Sequence, residues 1–205
     1  MKEGLFIVIY GINNLGKTTQ AKKLVESFKQ AGLQVEYLKY PIYDLDPTGT
    51  WLNKYIRSNK REKISKKELQ DIYTKNRFDF QLQLCQKLNE GINIIAEDYS
   101  GTGIAWGWTE GVDLEYLIET NKGLVKPDIE ILLDGERFLE AKEENHYFED
   151  NEEMMQKGRL NHLQLAKRFG WEVVNANQEI EKVHQDILKI AEKRIKEILE
   201  ENSKH

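Results

Sequence analysis

The sequence is short of the features that mark several large classes of protein. It has one cysteine, Cys85, in 205 residues. A lone thiol excludes an internal disulfide and any zinc site built from cysteines. A small core residue is its expected role, and a reducing cytoplasm is the expected setting. Three prolines exclude a proline-rich linker and leave room for long helices. No apolar run approaches the roughly 20 residues needed to span a bilayer. A strand-like segment already begins at Leu5, so neither a membrane span nor a secretory leader is expected. Basic residues are in the minority: Lys+Arg total 30 against 35 Asp+Glu, a formal net charge of -5. That balance provides no bulk positive field for a nucleic-acid polymer. There is no internal repeat or low-complexity segment, and the length fits a single domain, 1–205, or one domain with a lid.

What is present is concentrated near the start. Leu5-Phe6-Ile7-Val8-Ile9-Tyr10 is a continuous apolar run of the kind that forms a fully buried strand. Gly11-Ile12-Asn13-Asn14-Leu15-Gly16-Lys17-Thr18 follows at once and fits G-x-x-x-x-G-K-[ST]. A helical pattern then opens through Thr19. Strand, glycine-bounded loop and helix together give the motif a mechanism. The loop amides and the positive helix end face an anion, Lys17 reaches the β/γ-phosphates, and the Thr18 hydroxyl takes Mg²⁺. The nucleoside triphosphate side of a site therefore comprises Gly11, Asn13, Asn14, Leu15, Gly16, Lys17, Thr18 and Thr19.

Further strands are expected over 34–40, 92–96, 129–133 and 171–175. Helices are expected over 18–31, 50–58, 65–90, 113–121, much of 135–169, and from Ile180 on, where Val183, Ile187, Ile190, Ala191, Ile195 and Ile198 recur at helical spacing. The Trp-rich, glycine-punctuated stretch 101–111 is assigned no regular element. Strands alternating with helices imply a parallel, doubly wound sheet with right-handed crossovers: a P-loop NTPase-type three-layer α/β/α fold with a five-stranded parallel sheet and a helical lid. The charged segment about 135–157 is either a solvated helix pair or that lid. Glu97, ending the third strand opposite the loop, is the candidate carboxylate, able to order Mg²⁺ waters or take an acceptor proton. Asp98 is adjacent, and alternation along a strand predicts that only one of the two enters the site.

With these motifs in order, the chain resembles the thymidylate kinases and their near relatives, the deoxynucleoside kinases. The resemblance runs over almost the whole length. Beyond the loop it rests on Tyr40-Pro41 and Gly49, Tyr73-x-x-Asn76-Arg77-Phe78, Glu97-Asp98-Tyr99 with Gly103-x-Ala105-Trp106, Gly123-Leu124-x-Lys126-Pro127-Asp128, Tyr147-Phe148-Glu149, Val174-Asn175-Ala176, and Ile180-x-x-Val183-His184. It implies ATP as donor, Mg²⁺ as cofactor, a small-molecule acceptor and a homodimer. It also implies roles. Tyr73 stacks on the acceptor base, Arg77 binds a base edge or the acceptor phosphate, and Trp106 packs on the deoxyribose. Asn175, Ala176 and Asn177 border the adenine, and a lid cation (Lys142, Arg137 or His146) completes the charge.

The departures concern the acceptor. Asn13 stands where the family has a carboxylate. Tyr43 stands at the arginine that clamps the monophosphate, and Asp98 at a second arginine, although both positions belong to the acceptor site. Lys54, Arg57, Arg77, Arg137 and Lys142 are possible substitutes. Three readings follow: transfer from ATP to dTMP, transfer to an uncharged nucleoside with Glu97 as base, or a nucleotide-binding regulator without transfer.

Overall fold

The structure, a computed structural model, describes residues 4–57, 64–138 and 152–202. The apolar run becomes β1 (Phe6–Tyr10), every residue of which is fully buried. Burial on both faces leaves it no place but the middle of a sheet. The chain continues through α1 (Lys17–Gln30), β2 (Val35–Lys39), α2 (Thr48–Arg57), α3 (Lys66–Asn89) and β3 (Asn93–Glu97). It then runs through α4 (Ser100–Thr109), α5 (Leu114–Thr120), β4 (Ile129–Asp134), α6 (Glu152–Phe169), β5 (Glu172–Asn175) and α7 (Ile180–Asn202). The strands form one parallel sheet in the order β2-β3-β1-β4-β5. Strand order reverses around β1, and ligands of open α/β sheets bind at such a switch, beyond the carboxyl ends of the strands.

Alternate residues of β1 feed two cores. Ile7 and Ile9 pack with Leu24 and Phe28 of α1 and with Val183 and Ile187 of α7. Phe6, Val8 and Tyr10 pack with Leu84 and Leu88 of α3 and with Ile104 and Ala105 of α4. These are the two faces of a three-layer sandwich. Helix α3 starts at a capping box in which Ser65 and Glu68 satisfy each other's backbone amides. Its periodicity separates four similar side chains. Phe80 and Leu84 enter the core, whereas Phe78 and Leu82 stay outside, Leu82 at 71% exposure.

The stretch 101–111 forms a helix, α4, where the sequence argued for none. Gly101, Gly103 and Gly107 lower its intrinsic helix propensity. Each, however, lies where a Cβ would strike a neighbour: the Trp171 ring at 2.6 Å, the Arg77 guanidinium at 2.9 Å and Leu117 at 2.8 Å. Close packing outweighs propensity there. Residues 135–138, expected to be helical, are a loop, because Phe138 N–H donates to Asn14 O at 2.9 Å and Asn177 bonds the backbone of Glu136. Among the described residues no helix is long and apolar enough to cross a membrane.

Candidate nucleotide and acceptor site

The loop after β1 wraps as its glycines allow. Gly16 takes a left-handed φ of 78° immediately before α1, and Asn14 another of 62°. Helix α1 has no side-chain N-cap and no acid in its first turn. Its leading amides are thus offered to an external anion rather than satisfied internally. Lys17 is buried and donates to Gly11 O at 2.9 Å and Ile12 O at 3.0 Å. The amine folds back on the loop it would leave to meet phosphate. Leu15 is a core residue that anchors the loop from below, and Thr19 lies in the first turn of α1.

Glu97 collects the carboxyl edge of β3. Its Oε2 accepts from the Thr18 hydroxyl and from the Tyr37 phenol, each at 2.7 Å, and its Oε1 is 3.0 Å from Lys39 Nζ. Burial alone would push its carboxyl up, but Lys17 and Lys39, with the two hydroxyl donors, hold it below the ordinary value, so it is ionised. Asp98 faces the same loop. Its Oδ1 lies 3.9 Å from Lys17 Nζ and accepts from Thr102 at 2.7 Å. The expectation that strand alternation would exclude one of this pair is corrected. Asp98 lies past the end of β3 with φ 63°, so the pleat no longer governs its direction. Burial, joined by the charge of Glu97, pushes the Asp98 carboxyl up against the pull of Lys17. Two adjacent acids are thereby driven apart in acidity, a pattern that fits division of labour at a site.

The residues read as the acceptor side lie on α3 and on the loop after β2. Asn76 is fully buried and clamps that loop, donating to Ile42 O at 3.0 Å and accepting from Ile42 N–H at 2.8 Å. It was quoted in the sequence only as part of a motif; its holding role needed the fold. Gly49 permits the approach of α2, since a Cβ there would meet Ile42 O at 1.9 Å. Arg77, one turn beyond Tyr73, is 4% exposed, and its partners are neutral: Asn121 Oδ1 at 3.2 Å and Thr74 Oγ1 at 2.9 Å. Burial brings its pKa down to about 10, so the guanidinium remains charged at neutral pH. Tyr73 lies close enough to Tyr43 and Arg77 for each to act on its phenol. Trp106 is 7% exposed, edge-on to His162 with centroids 5.9 Å apart, and seated on Gly158 of α6. That packing places its ring at the α4–α6 interface.

Beyond β4 and β5 lies an open cavity of about 720 Å³, lined by Asp134, Gly135, Glu136, Arg159, Val173, Asn175 and Asn177. Ala176 N–H donates to Asp134 O at 2.7 Å, and Asn177 N–H donates to Asn175 Oδ1 at 2.9 Å. These residues sit at the rim expected for adenine, but the asparagine side chains shape the loop itself. Sequence reasoning missed Arg159, which grips Asp134 in a two-pronged pair at 2.6 and 2.9 Å. Its spacing within a charged helix gave no signal. Arg137 has a side chain only 5% exposed, 3.5 Å from Glu152. Lys142, His146 and Tyr147-Phe148-Glu149 lie outside the described residues, as does most of the segment read as a lid.

A family model described as thymidylate kinase matches residues 9–187. The chain belongs to the thymidylate kinase family. Among curated relatives, the probable thymidylate kinase of Thermococcus onnurineus is 33% identical over 205 aligned residues, covering 92% of this chain and 97% of that protein. The thymidylate kinase of Homo sapiens is 28% identical, covering 95% and 93%. The solved thymidylate kinase of Candida albicans aligns with a TM-score of 0.80 at 24% identity, covering 94% and 93% of the two chains. At that identity the likeness speaks for the fold. Members of this family are nucleoside monophosphate kinases, phosphotransferases acting on small-molecule nucleotides.

Proposed function

We propose that this thymidylate kinase family member transfers the γ-phosphoryl group of ATP to dTMP, giving dTDP and ADP. The observation that carries the reading is Arg77. A buried, charged fork whose described partners are all neutral is suited to the carbonyl edge of a pyrimidine or to an acceptor anion. It lies one turn from Tyr73, the aromatic assigned to stack on the base. A phosphate oxygen of dTMP is already ionised and needs no general base, so the residues work by positioning and charge. Lys17 leaves the Gly11 and Ile12 carbonyls to hold the transferring phosphates.

The residues present fit Mg²⁺. The Thr18 hydroxyl and the Glu97 carboxylate, 2.7 Å apart, are hard oxygens at the mouth of the loop. Mg²⁺ at kinase sites is held largely by phosphates and water. Among the described residues no group of three or more His, Cys, Asp or Glu could hold a metal ion. When bound, the ion supplies neutralisation of the β/γ-phosphate charge. We read 1–205 as one kinase domain in which the segment about 135–157 serves as a lid and contributes Lys142, an assignment resting on its place after β4. A homodimer is supported by Phe78 and Leu82, exposed one turn apart on α3. A cytoplasmic setting is supported by the single free thiol.

The test is ADP release from ATP with Mg²⁺ across dTMP, dUMP, dCMP, dGMP, thymidine and deoxycytidine. A response to dTMP above the rest is expected. Stimulation by a nucleoside and by no monophosphate would overturn dTMP as acceptor in favour of an uncharged nucleoside. Silence across the panel, with ATP bound, would overturn transfer itself.

A further inference from the structure

We propose that Lys39 is the residue that clamps the acceptor's phosphate in this chain, in place of the two arginines that Tyr43 and Asp98 displace. The proposal rests on the dTMP reading above. Lys39 ends β2 and is in register with Glu97 of β3, so the two side chains stand side by side on one face of the sheet. The amine sits at the carboxyl edge of the strands, 3.0 Å from Glu97 Oε1, with half of its side chain exposed. A half-exposed ion pair is weakly held. A flexible four-carbon stem lets the ammonium exchange a single carboxylate oxygen for a phosphate dianion. The next residues, 40–43, are the loop that Asn76 pins at Ile42. The Tyr43 phenol lies near enough to act on both Lys39 and Tyr73. Lys39 therefore stands beside the Glu97 carboxylate at the foot of the loop that carries Tyr43.

Other described cations serve other parts of the site or its walls. Lys17 bonds the loop carbonyls on the triphosphate side. Arg77, beneath Gly103 and bonded to the neutral Thr74 and Asn121, is placed for the base edge. Arg159 is locked to Asp134, and Arg57 bonds Asn53 on its own helix. A monophosphate brought next to Glu97 and Asp98 without a compensating cation would meet two carboxyl groups. Lys39 supplies that cation from the neighbouring strand.

Calorimetric binding of dTMP and of thymidine, without ATP, separates this role from a structural one. Lys39→Met should weaken dTMP about 10- to 100-fold, the range for a lost charge-assisted contact, and leave thymidine within about twofold. Lys39→Arg should restore most of the dTMP affinity. Thymidine binding also serves as the check that each variant is folded. Equal weakening of both ligands, or dTMP affinity unchanged in Lys39→Met, would overturn the proposal. So would a fall in kcat with the dTMP KM unaltered, which would leave Lys39 only as a support for Glu97. Failure of the unmutated protein to bind dTMP while it binds ATP would instead overturn the dTMP reading on which the proposal stands.

Discussion

Acid should destabilise this protein in part through the buried imidazole of His162. His162 lies on α6 and is 1% exposed. Its Nδ1 is 2.8 Å from Gly158 O, which assigns the proton to Nδ1, and its Nε2 has no described hydrogen-bond partner. Burial, against the help of the Gly158 carbonyl and with a smaller push from Lys17, brings its pKa down from 6.5 to about 4. Between those values the unfolded chain holds a proton that the folded protein does not. Stability therefore falls as the pH drops through that window, by at most about 1.4 kcal/mol per unit. At pH 5 the loss from this group comes to about 2 kcal/mol. Urea unfolding of the unmutated protein and of His162→Phe, at pH 7.5, 6 and 5, isolates it. Other titrating groups, including Asp98 with its raised carboxyl, are common to both proteins and cancel in the difference. With a slope of roughly 2 kcal/mol per molar urea for a chain of this size, the pH-dependent shift in midpoint should differ by about 1 M. Parallel pH dependences would refute the reasoning. So would an imidazole titrating near 6.5 in the folded protein by NMR.

Glu97→Gln keeps acceptors for Thr18 and Tyr37 but gives up the charge that pairs with Lys39. Turnover should fall 10- to 100-fold, as when a residue that orders a metal's surroundings is changed, with ATP affinity changed far less. An unaltered kcat under saturating Mg²⁺ would leave Glu97 as a strand-end acid. Gly158→Ala places a methyl group 2.7 Å from the buried Trp106 ring. Overpacking of about 1–3 kcal/mol should exceed the helix-propensity gain of up to ~1 kcal/mol and lower the thermal midpoint. A midpoint that rises instead would contradict the packing of Trp106 on α6.

The parts of the site legible in the sequence are those whose chemistry is local. The loop from Gly11 to Thr18 carries its own spacing, and the strand before it and the helix after it are fixed by adjacent residues. Glu97 was legible because it ends an apolar run. Arg77 and Tyr73 were legible only as a resemblance, and the burial and neutral partners of Arg77 could not be read from helical spacing. The packing of Trp106 was hidden for the same reason. An aromatic flanked by Gly103 and Gly107 gives no sign that it will meet the Gly158 notch of a helix some fifty residues later.

The sequence by itself determined the order of the strands and of the helices other than α4, the phosphate-binding loop and the membership of the family. These depend on patterns within a few residues of one another, repeated along the chain. Only the tertiary structure decided which charges meet. Lys39 and Glu97 are 58 positions apart and become neighbours through the β2–β3 register. Asp98 enters the site because its backbone turns left-handed beyond the strand end. Helix α4 exists because its glycines lie against Trp171, Arg77 and Leu117. The physical reason is common to all three: pairing, burial and close approach act between segments distant in sequence, and no local propensity encodes the neighbour that a side chain will find.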